Sequence, residues 1–287
     1  MTYQGKPTIR KQIVGRYLHR LREAAGLSMD DVAKEFGVSR AAAYRHETGN
    51  TAVDVAAAEK YMRLYDVQDE AVARRIIDLA RTSRKKGWWE GYRGTADLAQ
   101  IEIADLEDLA TSISNYEPMV IPGLVQTKAY SEALILGADD QTFPYKVIPR
   151  KSLEIRNQRK AVLTKKDRPD LRFVFSEIAF KAPVASEEVM TDQAKHLVHL
   201  IRDKGVSVQI LRHTPGEGMA TPDRPLLLVT AGGEDAESIV YLDNLFGGSA
   251  VDDQQVARRA AELFVHLQHR ALSPEETARY LERVHQR

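Results

Sequence analysis

The chain contains no cysteine, which excludes disulfides, thiolate zinc sites, iron-sulfur clusters and thiol nucleophiles. It has no run of about 18 consecutive apolar residues. Nor does an apolar leader follow the opening MTYQGKPTIRKQ. Neither a membrane span nor a signal peptide is therefore expected, and the chain reads as cytoplasmic. A phosphate-cradling glycine loop and a Gly-x-Ser-x-Gly elbow are also missing, which removes the usual marks of nucleotide hydrolysis and acyl transfer. Internal repeats and low-complexity segments are absent too.

What remains is a chain of 287 residues with 43% hydrophobic content, enough for two domains with real cores. The formal net charge of zero hides an asymmetry. Residues 1–90 carry 17 basic and 12 acidic residues, leaving 24 basic and 29 acidic residues behind them. A basic front and an acidic back suit a DNA-binding domain joined to a domain with another partner.

Past a short arm with Gly5 and Pro7, the stretch from Arg10 to Ala25 sets Ile13, Val14, Tyr17, Leu18 and Leu21 on one helical stripe. Gly26 ends that helix. Ser28 caps a second, Met29 to Phe36, with Val32, Ala33 and Phe36 inward. Gly37 supplies a turn, and Ser39 caps a third short helix made slim by Ala41, Ala42 and Ala43. Arg40, Tyr44 and Arg45 project from it, and either arginine can meet a phosphate or a guanine. A fourth helix is predicted over Val53 to Tyr65, burying Ala57, Tyr61, Leu64 and Tyr65. A fifth runs over Asp69 to Lys85, burying Val72, Ile76 and Leu79.

The segment GRYLHRLREAAGLSMDDVAKEFGVSRAAAYRHETGN resembles the helix-turn-helix of the Xre/Cro/phage-repressor family. The resemblance rests on Leu21-Arg22, Ala25-Gly26-Leu27-Ser28, Val32-Ala33, Gly37-Val38-Ser39 and Glu47-Thr48-Gly49. It implies that Arg22 pairs with Glu47 to link first and third helices. It also implies that Arg40, Ala41, Tyr44 and Arg45 read bases, that the helix starts at Ser28 and Ser39 meet phosphates, and that Ala43 faces the core. Met29 stands where the family often has a glutamine. His46 replaces an apolar core residue and reads as a partly buried histidine closing the small core.

The run Arg84-Lys85-Lys86-Gly87-Trp88-Trp89-Glu90-Gly91-Tyr92 reads as a junction whose aromatics anchor the next domain, placing the boundary between residues 86 and 87. From Asp97 a helical stripe of Ala99, Ile103, Leu106, Ala110 and Ile113 is predicted, with Glu102, Asp105 and Asp108 beside it; its last turn would also suit a strand. Pro118 and Pro122 bracket an apolar run and make a rigid elbow into a helix over Lys128 to Leu136. Strands are expected at Leu171 to Phe175, Val206 to Leu211, Pro225 to Thr230 and Ser238 to Leu242. Turns at Pro215-Gly216 and Gly232-Gly233 join them. A helix opening at Val189-Met190 turns Ala194, Leu197, Leu200 and Ile201 inward. Helices over Asp252 to Arg270 and Pro274 to His285 close the chain.

Pro122-Gly123-Leu124-Val125-Gln126-Thr127 with Tyr130-Ser131, together with Trp88-Trp89 and Arg156-Asn157-Gln158-Arg159-Lys160, is similar to the antitoxin-like DUF5753 domain of actinobacterial Xre-type regulators. The expected fold is an all-α helix-turn-helix domain of five helices, residues 1–86, followed by an α+β domain with a small sheet, residues 87–287. The resemblance implies a transcriptional regulator that binds double-stranded DNA as a homodimer, and whose second domain binds a small DUF397-type protein. The alternative is a small-molecule pocket in that domain and a ligand-responsive regulator.

Catalysis finds little support. Glu177 at a strand end could serve as a base, but it stands alone. His196 with His199, and His266 with His269, are three apart on predicted helices without a carboxylate in a zincin pattern, so they read as surface residues. No catalytic residue, metal or cofactor is expected, and an enzyme fused to a DNA anchor is the least supported reading.

Overall fold

The computed structural model describes residues 7–83, 87–137, 148–213, 222–231, 237–244 and 247–284. The chain forms two compact units, Met1–Gly94 and Thr95–Arg287.

The first unit contains five helices, α1 (Ile9–Ala24), α2 (Met29–Phe36), α3 (Arg40–Glu47), α4 (Val55–Leu64) and α5 (Glu70–Ser83). Each of the first four starts at a side-chain cap, Thr8, Ser28, Ser39 and Asp54 respectively. Their shared core contains Ile13, Val14, Leu18, Val32, Ala43, Tyr61 and Ile76. In α4 it is Ala58 and Met62 that are fully buried, one position along and two back from the expected Ala57 and Leu64, since Tyr61 sets which stripe faces inward. Phe36 stacks on Tyr61 with ring centroids 4.2 Å apart, and Tyr65 lies 5.5 Å from the same ring.

The division after Gly94 falls beyond the boundary expected from the sequence, and the aromatic junction belongs to the first unit. Trp89 is buried in a short 3-10 turn, Trp88–Tyr92, with the Arg10 guanidinium 5.2 Å from its ring centre. Cation-π attraction thereby ties the junction back to α1. Arg84, Lys85 and Lys86 lie outside the described residues.

The second unit is built on one six-stranded sheet in the order β3-β2-β1-β4-β5-β6. The strands are β1 (Ala110–Glu117), β2 (Asp170–Ser176), β3 (Ser207–Leu211), β4 (Leu226–Ala231), β5 (Glu237–Asn244) and β6 (Gly247–Val251). β1, β2 and β3 run parallel, whereas β4, β5 and β6 continue from β1 as an antiparallel meander. The helices are α6 (Leu98–Leu109), α7 (Lys128–Leu136), α8 (Pro149–Arg159), α9 (Ile178–Lys181), α10 (Glu187–Arg202), α11 (Gln254–Arg270) and α12 (Pro274–Val284). One sheet face packs Tyr116, Val174, Leu226, Leu228 and Val240 against Ala257, Phe264 and Leu267 of α11.

The second unit departs from or adds to the expectation at three points. The stripe from Ala99 to Ile113 is not one helix: α6 ends at Leu109, and its last turn takes the strand form that the sequence also suited, with Ala110 and Ile113 in β1, because pairing with β2 and β4 captures the β-branched segment. Glu102 and Asp105 are buried, so α6 is covered on nearly every side. β6 was not foreseen, since Gly247 and Gly248 weaken any strand signal; there a Cβ on Gly248 would meet the Tyr241 hydroxyl at 2.0 Å. The turns at Pro215-Gly216 and Gly232-Gly233, and His285, lie outside the described residues.

Candidate nucleic-acid interface and the elbow of the second unit

In the first unit, α2 and α3 are joined by a turn at Gly37, whose φ of 64° lies in the left-handed region. Ser28 forms a full capping box: its hydroxyl accepts from the Asp31 N–H and its backbone N–H donates to Asp31 Oδ2 at 2.8 Å, with the hydroxyl also donating to Oδ2 at 2.6 Å. These bonds hold the Asp31 carboxyl below its ordinary range. The Ser39 hydroxyl accepts from the Ala42 N–H at 3.2 Å. Both caps are exposed at positive helix ends.

α3 divides into two faces. Ala43 and Glu47 are buried, while Arg40, Ala41, Tyr44 and Arg45 are exposed. Arg40 touches Asp30 only at 3.9 Å, with both side chains about 70% exposed, so this loose surface pair leaves it available. Met29 is buried and offers no polar group at the start of α2.

The buried face fixes α3 to α1. Arg22 Nε donates to Glu47 Oε1 at 2.7 Å and its NH2 to Oε2 at 3.2 Å, while NH1 holds the Leu27 carbonyl at 2.9 Å. His19 Nδ1 lies 2.9 Å from Glu47 Oε2 and completes the cluster. Its position one turn before Arg22 on α1 was the available signal, and sequence reading passed over it. The backbones also approach closely, because a Cβ on Gly15 would meet the Glu47 carbonyl oxygen at 2.3 Å and one on Gly49 the Lys11 backbone at 2.8 Å. His46 bonds the Tyr61 hydroxyl at 2.9 Å, and burial lowers its pKa.

In the second unit, the elbow from Pro118 to Thr127 is fastened by buried amides. Gln126 Nε2 donates to the Ile121 carbonyl at 2.6 Å, and Gln126 Oε1 accepts from the Ser131 hydroxyl at 2.9 Å. Gln193 of α10 donates to the Val125 carbonyl and accepts from the Thr127 N–H. Lys160 reaches the Thr127 carbonyl and the Ser131 hydroxyl, and burial beside Arg156 and Arg159 lowers its pKa to about 8. A cavity of about 180 Å³ opens between this elbow, α6, α8 and the sheet face opposite α11. Arg156 and Arg159 both line it, as do Gly123 and Gln126. Arg159 is fully engaged in a buried bidentate pair with Glu107, at 2.8 and 2.7 Å.

Glu177 does not stand alone: its carboxylate accepts from Lys181 Nζ at 2.7 Å and from the His213 N–H at 2.8 Å. These bonds keep its pKa below the usual range in spite of burial. Ser176 Oγ lies 2.8 Å from His213 Nε2 but also caps the Ile178 N–H and is buried. His199 pairs with Asp203 at 2.6 Å. No helix among the described residues is long and apolar enough to cross a membrane.

Residues 13–75 match a helix-turn-helix domain model, and residues 100–283 match the domain of unknown function DUF5753. No curated protein and no solved structure matches the chain. The helix-turn-helix match covers most of α1, all of α2 to α4 and part of α5, and therefore the exposed arginine face, and the second match spans more than half of the sequence. The chain thus belongs to the DUF5753 family and is a DNA-binding transcriptional regulator carrying its helix-turn-helix domain ahead of that family's fold.

Proposed function

We propose that this protein binds a near-palindromic operator as a homodimer, with Arg40, Ala41, Tyr44 and Arg45 entering the major groove and the capped helix starts at Ser28 and Ser39 meeting phosphates. The observation that carries the reading is the division of α3 into a buried anchoring face and an exposed face bearing two arginines and a tyrosine. Helix-turn-helix dimers read half-sites about one helical turn, roughly 34 Å, apart. In a gel-shift titration against the operator, Arg40→Ala and Arg45→Ala should each weaken binding by about 1 to 3 kcal/mol. Unchanged affinity in both would remove the assignment.

For the second unit, the resemblance of its elbow to antitoxin-like domains supports a small DUF397-type partner protein. Recovery of such a protein with the full chain from native cells tests this. A second reading is favoured by the cavity beside the elbow: a small molecule bound there would make the regulator ligand-responsive. No catalytic role is proposed, since the Glu177 carboxylate is occupied by Lys181 and the His213 N–H.

A further inference from the structure

The cavity lies where the strand order changes direction: β1 leads to β2 on one side, while β4 returns on the other. Alternation along β1 turns Ile113, Asn115 and Glu117 into the cavity, and Leu227 faces it from β4.

Its charges are incomplete. Arg156 Nε and NH1 donate only to the amide oxygens of Gln100 and Gln126, both at the long distance of 3.3 Å. Among the described residues no carboxylate lies within ion-pair distance of it. The guanidinium is half-buried, and its pKa falls to about 10 through burial and the neighbouring Arg159, against the opposing pull of Asp97, Glu117 and Asp243. Glu117, at the end of β1, accepts only a 3.3 Å bond from Asn115. Burial pushes its carboxyl up to about 7, with Asp243 adding to the shift and Asn115, Arg156 and Arg159 opposing it. The same cavity thus holds a cation and an acid that, among the described residues, each lack a directly hydrogen-bonded partner of opposite charge, with Asp97 and Asp243 also on its wall.

The geometry points to a binding site for a small zwitterion of amino-acid type, its carboxylate on Arg156, its ammonium on Glu117 and its aliphatic part against Ile113 and Leu227. Gln100 and Gln126 aim the guanidinium. Size fits this class, because a cavity of about 150 Å³ accepts benzene, so 180 Å³ admits a molecule of on the order of eight heavy atoms. The assignment rests on the ligand-responsive reading and narrows it.

The test is calorimetry and thermal shift on the full chain with each of the proteinogenic amino acids and with the deaminated acid and decarboxylated amine of each. At least one amino acid should bind and raise the melting temperature, with both analogues at least tenfold weaker. Arg156→Lys and Glu117→Gln should each weaken it tenfold or more. Gly123→Leu should abolish it, because a Cβ at Gly123 points at Arg156 and Arg159 from 3.9 Å and a larger side chain fills the cavity. Each variant's unliganded melting curve reports whether it has folded. If only a deaminated acid or an amine binds, the zwitterion assignment falls and ligand response stands. If no probe binds, the zwitterion assignment falls; if Gly123→Leu also leaves operator occupancy in cells unchanged, ligand response falls with it.

Discussion

Arg22 and Glu47 stand 25 positions apart, and their pairing decides the orientation of α3. Glu47 accepts from Arg22 and lies beside His19, so removing its carboxylate strands a partly buried guanidinium. Glu47→Ala should destabilise the first unit by about 3 kcal/mol, measured as a shift of the denaturant midpoint of the full chain. His46 gives a pH signature. Its folded-state pKa lies below the ordinary 6.5 because burial and Arg45 outweigh Asp54. The unfolded chain therefore binds more protons as pH falls below about 6.5, and stability drops in that direction. His46→Gln should flatten the decline in melting temperature between pH 7 and 5; an unaltered slope would place its origin elsewhere.

At the level of elements, α3 is held by the absence of side chains as much as by their presence. Gly15 lies in mid-helix, where glycine is unfavourable by up to about 1 kcal/mol, yet the Glu47 carbonyl occupies the space a methyl group would need. Gly15→Ala should push α1 from α3, lower stability by about 3 kcal/mol and impair operator binding, read by melting and gel shift. Nothing in the local sequence announces this, since a glycine within a helical stripe reads only as a weak former. The helices of the first unit were legible because caps, glycine stops and 3.6-residue periodicity agree there. α6 was less so, because its polar residues are buried along with its apolar ones, and its Glu102 and Glu107 find Tyr241 and Arg159 only through the fold.

At the scale of the molecule, the basic front third carries the helix-turn-helix unit and the acidic remainder the DUF5753 fold. Binding through phosphate contacts releases counterions, so operator affinity should fall on the order of 10³-fold between 50 and 200 mM salt. A flat response in the same gel-shift titration would exclude phosphate contacts as its main source. The sequence by itself determined the helix-turn-helix, the exposed arginine face of α3 and the elbow, because capping, turn chemistry and short-range periodicity are local and are written within a few residues. Only the tertiary structure decided that Trp89 belongs with α1, that β1 sits between a parallel and an antiparallel half-sheet, and that Gly123, Gln126, Arg156 and Glu117 enclose one polar cavity. Those facts depend on strand order and on long-range pairing of charges, neither of which leaves a periodic trace along the chain.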